Sequence, residues 1–186
     1  MKTCSWPGNN QLMQVYHDEE WCVPNTDDPY IFEMLTLEGA QSGLSWSIVL
    51  AKREGYKKAF HNFNIESCSR LTDADLENIK EHENVIKHLA KLKSIRDNAK
   101  AILKLQEEFG SFSNFLWQYV DFKPIIHNWD SESQIPAESE LSKQISKDLK
   151  KQGFKFVGPV TMYSFMQAVG MVDDHIKTCP YHTYNK

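Results

Sequence analysis

Apolar residues recur at helical spacing over most of this 186-residue sequence. A spacing of three and four residues places apolar side chains on one face of a helix, whereas a half-buried strand needs alternation. Alternation is confined to short runs such as the four residues 154–157. The pattern therefore predicts an all-α protein with six to eight helices. The helical segments are 28–39, 44–60, a short helix after Thr72, 85–109, 111–120, 141–151 and 160–169.

The helical pattern is interrupted at residues 121–140, where two prolines lie among acidic and small polar residues. Such composition is typical of a long surface loop. A chain of this length is sufficient for one globular unit with a sizeable core. We therefore predict a single unit, residues 1–186. Its parts are terminal segments 1–24 and 170–186, a helical body 28–120, the loop 121–140, and a final pair of helices at 141–170.

Composition excludes several classes of protein. Hydrophobic residues make up 41% of the chain and aromatic residues 12%, which argues against disorder. No run of eighteen apolar residues occurs, so no membrane partner is expected. The first fourteen residues lack an apolar core, so we expect no secretory signal, a cytoplasmic location and reduced cysteines. The net charge of −4 argues against indiscriminate coating of nucleic acid, although a local basic face is compatible with it.

Cysteine and histidine residues are paired at both ends of the chain. The pairs are Cys4 with His17, and His175 with Cys179. Together they have the composition of a tetrahedral zinc site, and four protein ligands would make such a site structural. The alternative is that these are ordinary half-buried residues, with Cys22 and His182 as rival ligands. Spacing alone slightly favours that alternative, because the pairs lie far apart in the sequence.

Aromatic residues and one carboxylate cluster in the first quarter of the sequence. The set is Trp6, Tyr16, Trp21, Glu38 and Trp46. Aromatic faces beside a carboxylate can bind a planar, electron-poor or cationic ring. The alternative is that the tryptophans pack in the core and the glutamate is solvated, which is the commoner arrangement.

The segment 143–155 carries five lysines, Lys151 and Lys155 among them, and one aspartate. Gly153 and Gly158 enclose a tight turn between two predicted helices. Backbone N–H groups at such a turn, with the N-terminus of the following helix, can bind phosphate, and DNA is a natural source of phosphate. The alternative is a charged, solvated face with a glycine C-cap.

Four blocks of the sequence together resemble the DNA-3-methyladenine glycosylase I family, within the helix-hairpin-helix DNA glycosylase superfamily. The blocks are YHDEEWCVP at 16–24, LEGAQSGLSW at 37–46, GFKFVGPVTMYSFMQAVG at 153–170 and DDHIKTC at 173–179. The resemblance covers essentially the whole chain. It implies a helix-hairpin-helix glycosylase fold whose two termini are joined by one structural Zn²⁺ per chain.

The resemblance also implies roles for individual residues. Glu38 would be the catalytic residue, and with Tyr16 it would bind the edge of the excised base, while Trp46 stacks on its face. Trp6 and Trp21 would line the same pocket. The zinc ligands would be Cys4, His17, His175 and Cys179. The hairpin residues Lys151, Gly153, Lys155 and Gly158 would bind the DNA backbone. Gly43 and Leu44 suit a wedge that fills the gap left by a flipped base, or equally a plain turn with Leu44 in the core.

The implied reaction is hydrolysis of the N-glycosidic bond of 3-methyladenine in alkylated double-stranded DNA by a monomer, leaving an abasic site. Relatives that cleave the strand use a lysine after the hairpin, where this chain has Pro159-Val160-Thr161, so we expect no lyase activity. Asp173 and Asp174 adjoin the ligand His175, and we expect them to be structural or surface residues rather than water-activating ones.

Two alternative functions stay open. One is a zinc-joined helical domain that binds DNA without excising a base. The other is a glycosylase that also accepts other alkylated bases such as 7-methylguanine. A departure from the family pattern at Met13, where an aromatic residue is usual, leaves the second alternative open. The chain also departs from the pattern at Cys22, which would place a further thiol near the zinc, and at Leu89, which would weaken a structural or DNA contact. A zinc hydrolase is disfavoured, because four protein ligands leave the metal no open position.

Overall fold

The computed structural model describes residues 3–186, and its helices are organised around the central helix α2 (Asp28–Gln41). Asp27 caps this helix by accepting a hydrogen bond from the Tyr30 amide at 3.1 Å, and Pro29 occupies its first turn. Every residue from Ile31 to Ala40 is buried. A helix that is covered on all sides lies inside the molecule, so α2 can carry a side chain to its centre.

Ten α-helices and one two-stranded sheet form in the described residues. The helices are α1 (Gln11–Glu19), α2 (Asp28–Gln41), α3 (Trp46–Leu50), α4 (Arg53–Ala59), α5 (Ile65–Ser69), α6 (Asp73–His82), α7 (Leu89–Phe109), α8 (Phe112–Trp117), α9 (Glu140–Lys151) and α10 (Pro159–Ala168). The strands β1 (Ile125–Ile126) and β2 (Val172–Asp173) pair in parallel. The prediction of a mainly helical chain is confirmed. The predicted number of six to eight helices is wrong, because α1 and α5 are not among the predicted segments and the predicted helix 44–60 is two helices, α3 and α4.

The segment predicted as one helix from residue 44 to 60 is two helices. The chain turns at Ala51 and Lys52 and restarts as α4. The turn brings the Arg53 guanidinium to 2.7 Å from Glu20 and 2.6 Å from Glu33, so it joins α1, α2 and α4. On α4, a Cβ atom at Gly55 would lie 2.1 Å from the Asn84 carbonyl oxygen. These contacts are far apart in the sequence, and local periodicity therefore misses the break.

The segment 121–140 is mostly irregular, but it is tied to the C-terminal part of the chain. Ile125 pairs with Val172 and Ile126 with Asp173, and a bridge joins Trp129 to Ile176. A short 3-10 helix, Glu132–Gln134, follows. The tail that carries His175 and Cys179 is thus held against this segment.

Helices α9 and α10 are joined by residues 152–158 and pack against each other. Gly153 adopts a φ of +90°, which a residue with a side chain rarely adopts. Gly158 caps α10 and Pro159 begins it. Residues 1–2 of the predicted terminal segment 1–24 lie outside the described residues. Among residues 3–186, no helix combines the length and the hydropathy that crossing a membrane requires.

Candidate functional site

A cavity of about 360 Å³ lies between the N-terminal segment, α1, α2, α3, the 3-10 helix and α10. All five residues of the predicted aromatic and acidic cluster line it. The full lining is Trp6, Tyr16, Trp21, Glu38, Gln41, Trp46, Glu132, Ile135, Ser164 and Gln167. Residues that span 40 positions of sequence therefore meet at one place, as the pocket interpretation requires.

Aromatic rings form a continuous wall along this cavity. The centroid of Trp6 lies 5.1 Å from that of Trp21 and 6.3 Å from that of Tyr16, with edge-to-face geometry. The rings of Tyr16 and Trp46 are 5.1 Å apart and tilted by 53°. Tyr16 and Trp21 are buried, whereas Trp6 and Trp46 are half-buried. An aromatic wall of this kind offers π faces to a flat ligand.

Glu38 enters the cavity from α2 and is only 5% exposed. Its Oε2 atom is buried and has no hydrogen-bond partner among the described residues. Desolvation raises the pKa of Glu38 to about 8. Burial also raises the pKa of Tyr16, and the nearby Glu38 charge adds to the shift. The tyrosine therefore keeps its proton, while the glutamate can change its charge near neutral pH.

Unpartnered polar atoms are concentrated around this cavity. In the described part of the chain, four buried side-chain nitrogen or oxygen atoms lack a hydrogen-bond partner. Three of them belong to cavity residues, namely Trp6 Nε1, Trp46 Nε1 and Glu38 Oε2. A buried polar atom without a partner costs about 1–3 kcal/mol, so a cluster of them indicates a ligand that would supply the partners.

Five further lining residues were not identified from the sequence. They are Gln41, Glu132, Ile135, Ser164 and Gln167. Ser164 and Gln167 lie three residues apart on α10, an otherwise apolar helix, and both are half-buried. Polar residues at this spacing on a buried helix could have indicated a site-facing edge. Glu132 comes from the loop, where sequence patterns predict no position in space.

A second cavity, of about 210 Å³, adjoins the first and shares Glu38, Gln41 and Ser164 with it. Gly43 and Leu44 line it, together with Val160 and Thr161 of α10. Gly43 has a φ of +79°, and Leu44 is 38% exposed.

The turn that carries Gly43 and Leu44 is fixed from behind by Lys91 of α7. Its ammonium group donates to the carbonyl oxygens of Ala40 at 2.8 Å and Ser42 at 2.7 Å. Leu44 thus lies in the adjoining cavity on a turn held by Lys91 and is partly exposed, not buried in the core as a plain turn would require.

The Cys and His residues from the two ends of the chain form one buried cluster. The ligand atoms of Cys4, His17, His175 and Cys179 all lie within 4.8 Å of one another. Cys4 Sγ is 3.8 Å from His175 Nδ1, and Cys179 Sγ is 3.5 Å from His175 Nδ1 and 3.8 Å from His17 Nε2. Tetrahedral zinc with ordinary bond lengths separates its ligands by about 3.3–3.8 Å. These three separations fit a four-coordinate zinc ion.

Hydrogen bonds around the cluster fix the tautomers of both histidines. The Nδ1–H group of His17 donates to Asp18 at 2.7 Å, and the Nε2–H group of His175 donates to the Trp21 carbonyl at 3.2 Å. Each histidine thus directs its other nitrogen, as a lone pair, into the cluster. Ligating histidines usually make such outer contacts, and these donors leave the right atoms for a metal.

The two alternative ligands, His182 and Cys22, make hydrogen bonds of their own. The Nε2–H group of His182 donates to the His127 carbonyl oxygen at 2.8 Å, and its Nδ1 atom accepts from the Tyr184 amide at 3.2 Å. Cys22 Sγ accepts a hydrogen bond from the Asp174 amide at 3.3 Å. Cys22 also groups with Asp173 and His175, so a second, three-residue arrangement shares one histidine with the first.

The hairpin at 152–158 is fixed to α7 by Asn98. Its side-chain amide donates to the Lys155 carbonyl at 3.1 Å, and its oxygen accepts from the Lys155 amide at 2.9 Å. The Lys155 ammonium group lies 2.7 Å from Asp97, and Lys151 lies 3.5 Å from Asp148. The predicted phosphate-binding lysines are exposed, but each already has an acidic neighbour.

Asp174 is completely buried and accepts four side-chain hydrogen bonds. The donors are His127 at 2.6 Å, Trp129 at 2.7 Å, Tyr163 at 2.7 Å and Gln167 at 2.8 Å. Asp173 is also buried and accepts from Thr183 and the His175 amide. Both carboxylates are fully engaged, and neither lines the cavity.

Known proteins resemble this chain over its whole length. The DNA-3-methyladenine glycosylase of Haemophilus influenzae is 43% identical over 180 residues, 97% of each chain. The DNA-3-methyladenine glycosylase 1 of Escherichia coli is 41% identical over 186 residues, all of each chain.

Solved structures share the fold. A crystal structure of 3-methyladenine DNA glycosylase I has a TM-score of 0.94 at 42% identity and covers 97% of this chain and 100% of the other. A tyrosine-to-phenylalanine variant of 3-methyladenine DNA glycosylase I, in complex with 3-methyladenine, has a TM-score of 0.95 at 37% identity over 98% of each chain. The profile of the methyladenine glycosylase family matches residues 6–182. The chain therefore belongs to the methyladenine glycosylase family.

Proposed function

We propose that this protein hydrolyses the N-glycosidic bond of 3-methyladenine in alkylated double-stranded DNA and leaves an abasic site. The single observation that carries the proposal is Glu38, a buried carboxyl group with an unpartnered oxygen in an aromatic cavity. The full-length relatives named for this activity support it.

A base inside a duplex must be flipped out before it can enter such a cavity, at a cost of a few kcal/mol. Methylation at N3 makes the adenine ring cationic. Stacking on Trp46 then contributes a cation–π interaction of about 0.5–2 kcal/mol. Entry of a cation favours the carboxylate form of Glu38, so the proton held in the empty cavity is released. The Tyr16 hydroxyl can donate to the base edge. A neutral, undamaged adenine gains less from each contact, which gives selectivity.

The cationic base is also a good leaving group. Breaking the bond between C1′ and the ring nitrogen leaves its electron pair on the base, which departs as neutral 3-methyladenine. The sugar becomes oxocarbenium-like, and the negative charge of Glu38 stabilises it. Water adds to C1′ and loses a proton. No lysine lines either cavity in residues 3–186, so we propose attack by water without a Schiff-base step.

We also propose that Cys4, His17, His175 and Cys179 hold one structural Zn²⁺. A bound zinc ion would cross-link the two ends of the chain and, with four protein ligands, would supply no site for a catalytic water. Its ligands are adjacent to pocket residues, since Cys4 precedes Trp6 by two positions and His17 follows Tyr16. The cross-link would therefore hold the aromatic wall in place.

DNA contact is proposed on the same face as the cavity mouth. The α9–α10 pair forms the helix-hairpin-helix unit, whose turn includes Lys151, Gly153, Lys155 and Gly158 and would bind the phosphate backbone. Leu44, with Gly43, would fill the space left by the flipped base. The protein would act as a monomer.

The purified protein should release 3-methyladenine from methylated duplex DNA while leaving the DNA strand intact. Chromatography of the released bases separates the candidate functions. Binding of duplex DNA without any released base would overturn the proposal and favour a non-catalytic DNA-binding domain. Release of 7-methylguanine at a similar rate would favour the broader glycosylase. A strand break that needs no later alkali treatment would contradict the absence of lyase activity.

Replacement of Asn98 by alanine tests the hairpin. It removes the two hydrogen bonds to Lys155, so we expect affinity for duplex DNA to fall about tenfold. Affinity for free 3-methyladenine should not change, because Asn98 does not line the base cavity. Fluorescence anisotropy of labelled DNA measures the affinity for duplex DNA, and quenching of tryptophan fluorescence measures the affinity for free 3-methyladenine. Asn114→Ala is the matched control, since Asn114 also bonds a backbone carbonyl but lies outside the hairpin. Equal loss of both affinities would contradict a local role.

A further inference from the structure

Gln167 lines the base cavity from α10, and its position is fixed on two sides. Its backbone carbonyl accepts a hydrogen bond from the Cys22 amide at 2.8 Å. Its side-chain nitrogen donates to Asp174 at 2.8 Å. The residue is half-buried, so part of its side chain faces the open cavity. Gln167 is therefore an ordered polar group of the site.

The contact with Asp174 decides which way the amide is turned. A carboxylate only accepts hydrogen bonds, so the Gln167 nitrogen must face it and the Gln167 oxygen must point elsewhere. Asp174 receives three further donors and is completely buried, which prevents it from moving to another partner. The Gln167 oxygen has no hydrogen-bond partner among residues 3–186. Because the nitrogen is engaged, the oxygen is the polar atom of this half-buried, cavity-lining amide that is left for a ligand.

Gln41, a second glutamine of the cavity lining, provides a contrast. It also lines the base cavity, but its side-chain amide has no hydrogen-bond partner in the described part of the chain. An amide without such a contact can turn to present either its oxygen or its nitrogen. Gln41 can therefore adapt to either kind of base edge, whereas Gln167 cannot.

The two purines differ at the edge that such an acceptor would meet. Adenine carries an amino donor at position 6 beside the N7 acceptor, whereas guanine carries two acceptors, O6 and N7. A fixed carbonyl oxygen can accept a hydrogen bond from the 6-amino group, but it is repelled by the oxygen of a 6-oxo group, because both atoms are acceptors. A site built to hydrogen-bond one group rejects an analogue that cannot satisfy it.

The geometry points to Gln167 as a specificity-determining residue that selects 6-amino over 6-oxo alkylated purines, with Asp174 as the positioning residue that orients its amide. This inference rests on the proposed function, since it concerns which alkylated base the same cavity accepts. It narrows the substrate class to N3-alkylated purines that retain the 6-amino group.

Gln167→Met tests the inference because methionine keeps the length of the side chain and removes the acceptor. Methylated duplex DNA supplies both 3-methyladenine and 3-methylguanine, and kcat/KM for release of each is measured on the same substrate. We expect release of 3-methyladenine to fall about tenfold, release of 3-methylguanine to hold or rise, and their ratio to fall at least tenfold. Inhibition by each free base gives a second measure of the same ratio.

Asp174→Asn provides the test of orientation. An asparagine can donate to the Gln167 oxygen, so the amide is free to turn, and the ratio of the two released bases should again fall. Zinc content is measured in parallel, since Asp174 adjoins His175. Gln144→Met is the matched control, because Gln144 donates to Asp148 at 2.7 Å in the same way but lies outside both cavities. The ratio of released 3-methyladenine to released 3-methylguanine in Gln144→Met should match that of the wild type.

The outcomes are separable. If wild-type protein releases neither base, the proposed function fails and the ratio cannot be formed. If wild-type protein releases 3-methyladenine and Gln167→Met keeps the wild-type ratio within twofold, the assignment of Gln167 is overturned while the proposed function stands. A changed ratio in Gln167→Met with an unchanged ratio in Asp174→Asn keeps the specificity role and overturns the positioning role.

Discussion

Replacing Glu38 by glutamine should lower kcat/KM for release of 3-methyladenine about 100-fold or more. Glutamine has almost the same shape and leaves the cavity filled, but it cannot carry a negative charge beside a cationic base or an oxocarbenium-like sugar. Single-turnover release from methylated duplex DNA measures the effect. An activity within threefold of the wild type would show that the charge of Glu38 does not drive the reaction.

The pH dependence follows from the raised pKa of Glu38, which burial moves to about 8. Below that pH the empty cavity holds mainly the neutral acid, and the carboxylate fraction falls about tenfold for each pH unit. Because kcat/KM reports the free enzyme, it should rise with pH up to about 8 and then level off. The Glu38→Gln variant should lose this rise. A wild-type profile that is flat between pH 6 and 8 would contradict the assignment.

The raised pKa of Glu38 also means that this residue lowers the free energy of unfolding once it is ionised. A carboxyl group with a raised folded-state pKa binds more protons in the folded than in the unfolded chain, so stability falls as pH rises from about 4.5 to about 8. Glu38→Gln should therefore be more stable than wild type near pH 8, by an amount of order a few kcal/mol. Glu33 on the same helix is the matched control, because it is equally buried but paired with Arg53 at 2.6 Å. Glu33→Gln should destabilise the protein.

These opposite signs show what the sequence could predict and what it could not. Glu33 and Glu38 lie on one helix, whose start at Asp28 follows from its cap and proline. Periodicity indicates that the helix exists, but only the packed structure shows that Arg53 reaches Glu33 and that Glu38 has no cationic partner among residues 3–186. The residues alone left open whether Trp6, Tyr16, Trp21, Glu38 and Trp46 form one pocket, the family resemblance implied that they do, and all five line one cavity.

The contact that orients the Gln167 amide could not be predicted from the sequence, for a physical reason. Gln167 gains its role through Asp174, which also receives donors from the irregular segment 121–140. The acidic neighbours of Lys151 and Lys155 illustrate the same limit. A count of lysines indicates a basic segment, but Asp97, which is 58 positions from Lys155, is brought to it only by folding. Contacts between distant segments leave no local pattern.

Replacing Cys179 by alanine should remove bound zinc and lower the melting temperature by more than about 10 °C. Cys179 is completely buried, and its sulfur lies 3.5 Å from His175 Nδ1 and 3.8 Å from His17 Nε2. Elemental analysis of protein purified without added metal, followed by calorimetry, measures both effects. Wild-type protein with less than about half an equivalent of zinc would overturn the metal assignment.

Two controls separate the metal from ordinary packing. Cys68→Ala removes another fully buried thiol, which donates to the Phe60 carbonyl and lies outside the cluster, so zinc content should stay at one equivalent. Cys22→Ala should also keep the metal if the Cys4, His17, His175 and Cys179 set is correct. Loss of zinc in Cys22→Ala, with retention in Cys4→Ala, would favour the rival group of Cys22, Asp173 and His175.

Loss of the metal should also weaken binding of the base. A cross-link far from the cavity would have no such effect. The ring of His17 stacks on Trp21 at 5.8 Å and meets Trp6 edge-on at 5.5 Å, and the Trp21 carbonyl accepts from His175. Each of these contacts joins a proposed zinc ligand to the aromatic wall of the cavity. Chelation at a temperature where the apoprotein stays folded should therefore reduce affinity for free 3-methyladenine severalfold, and added Zn²⁺ should restore it. Unchanged affinity would show that the aromatic wall of the cavity keeps its structure without the metal.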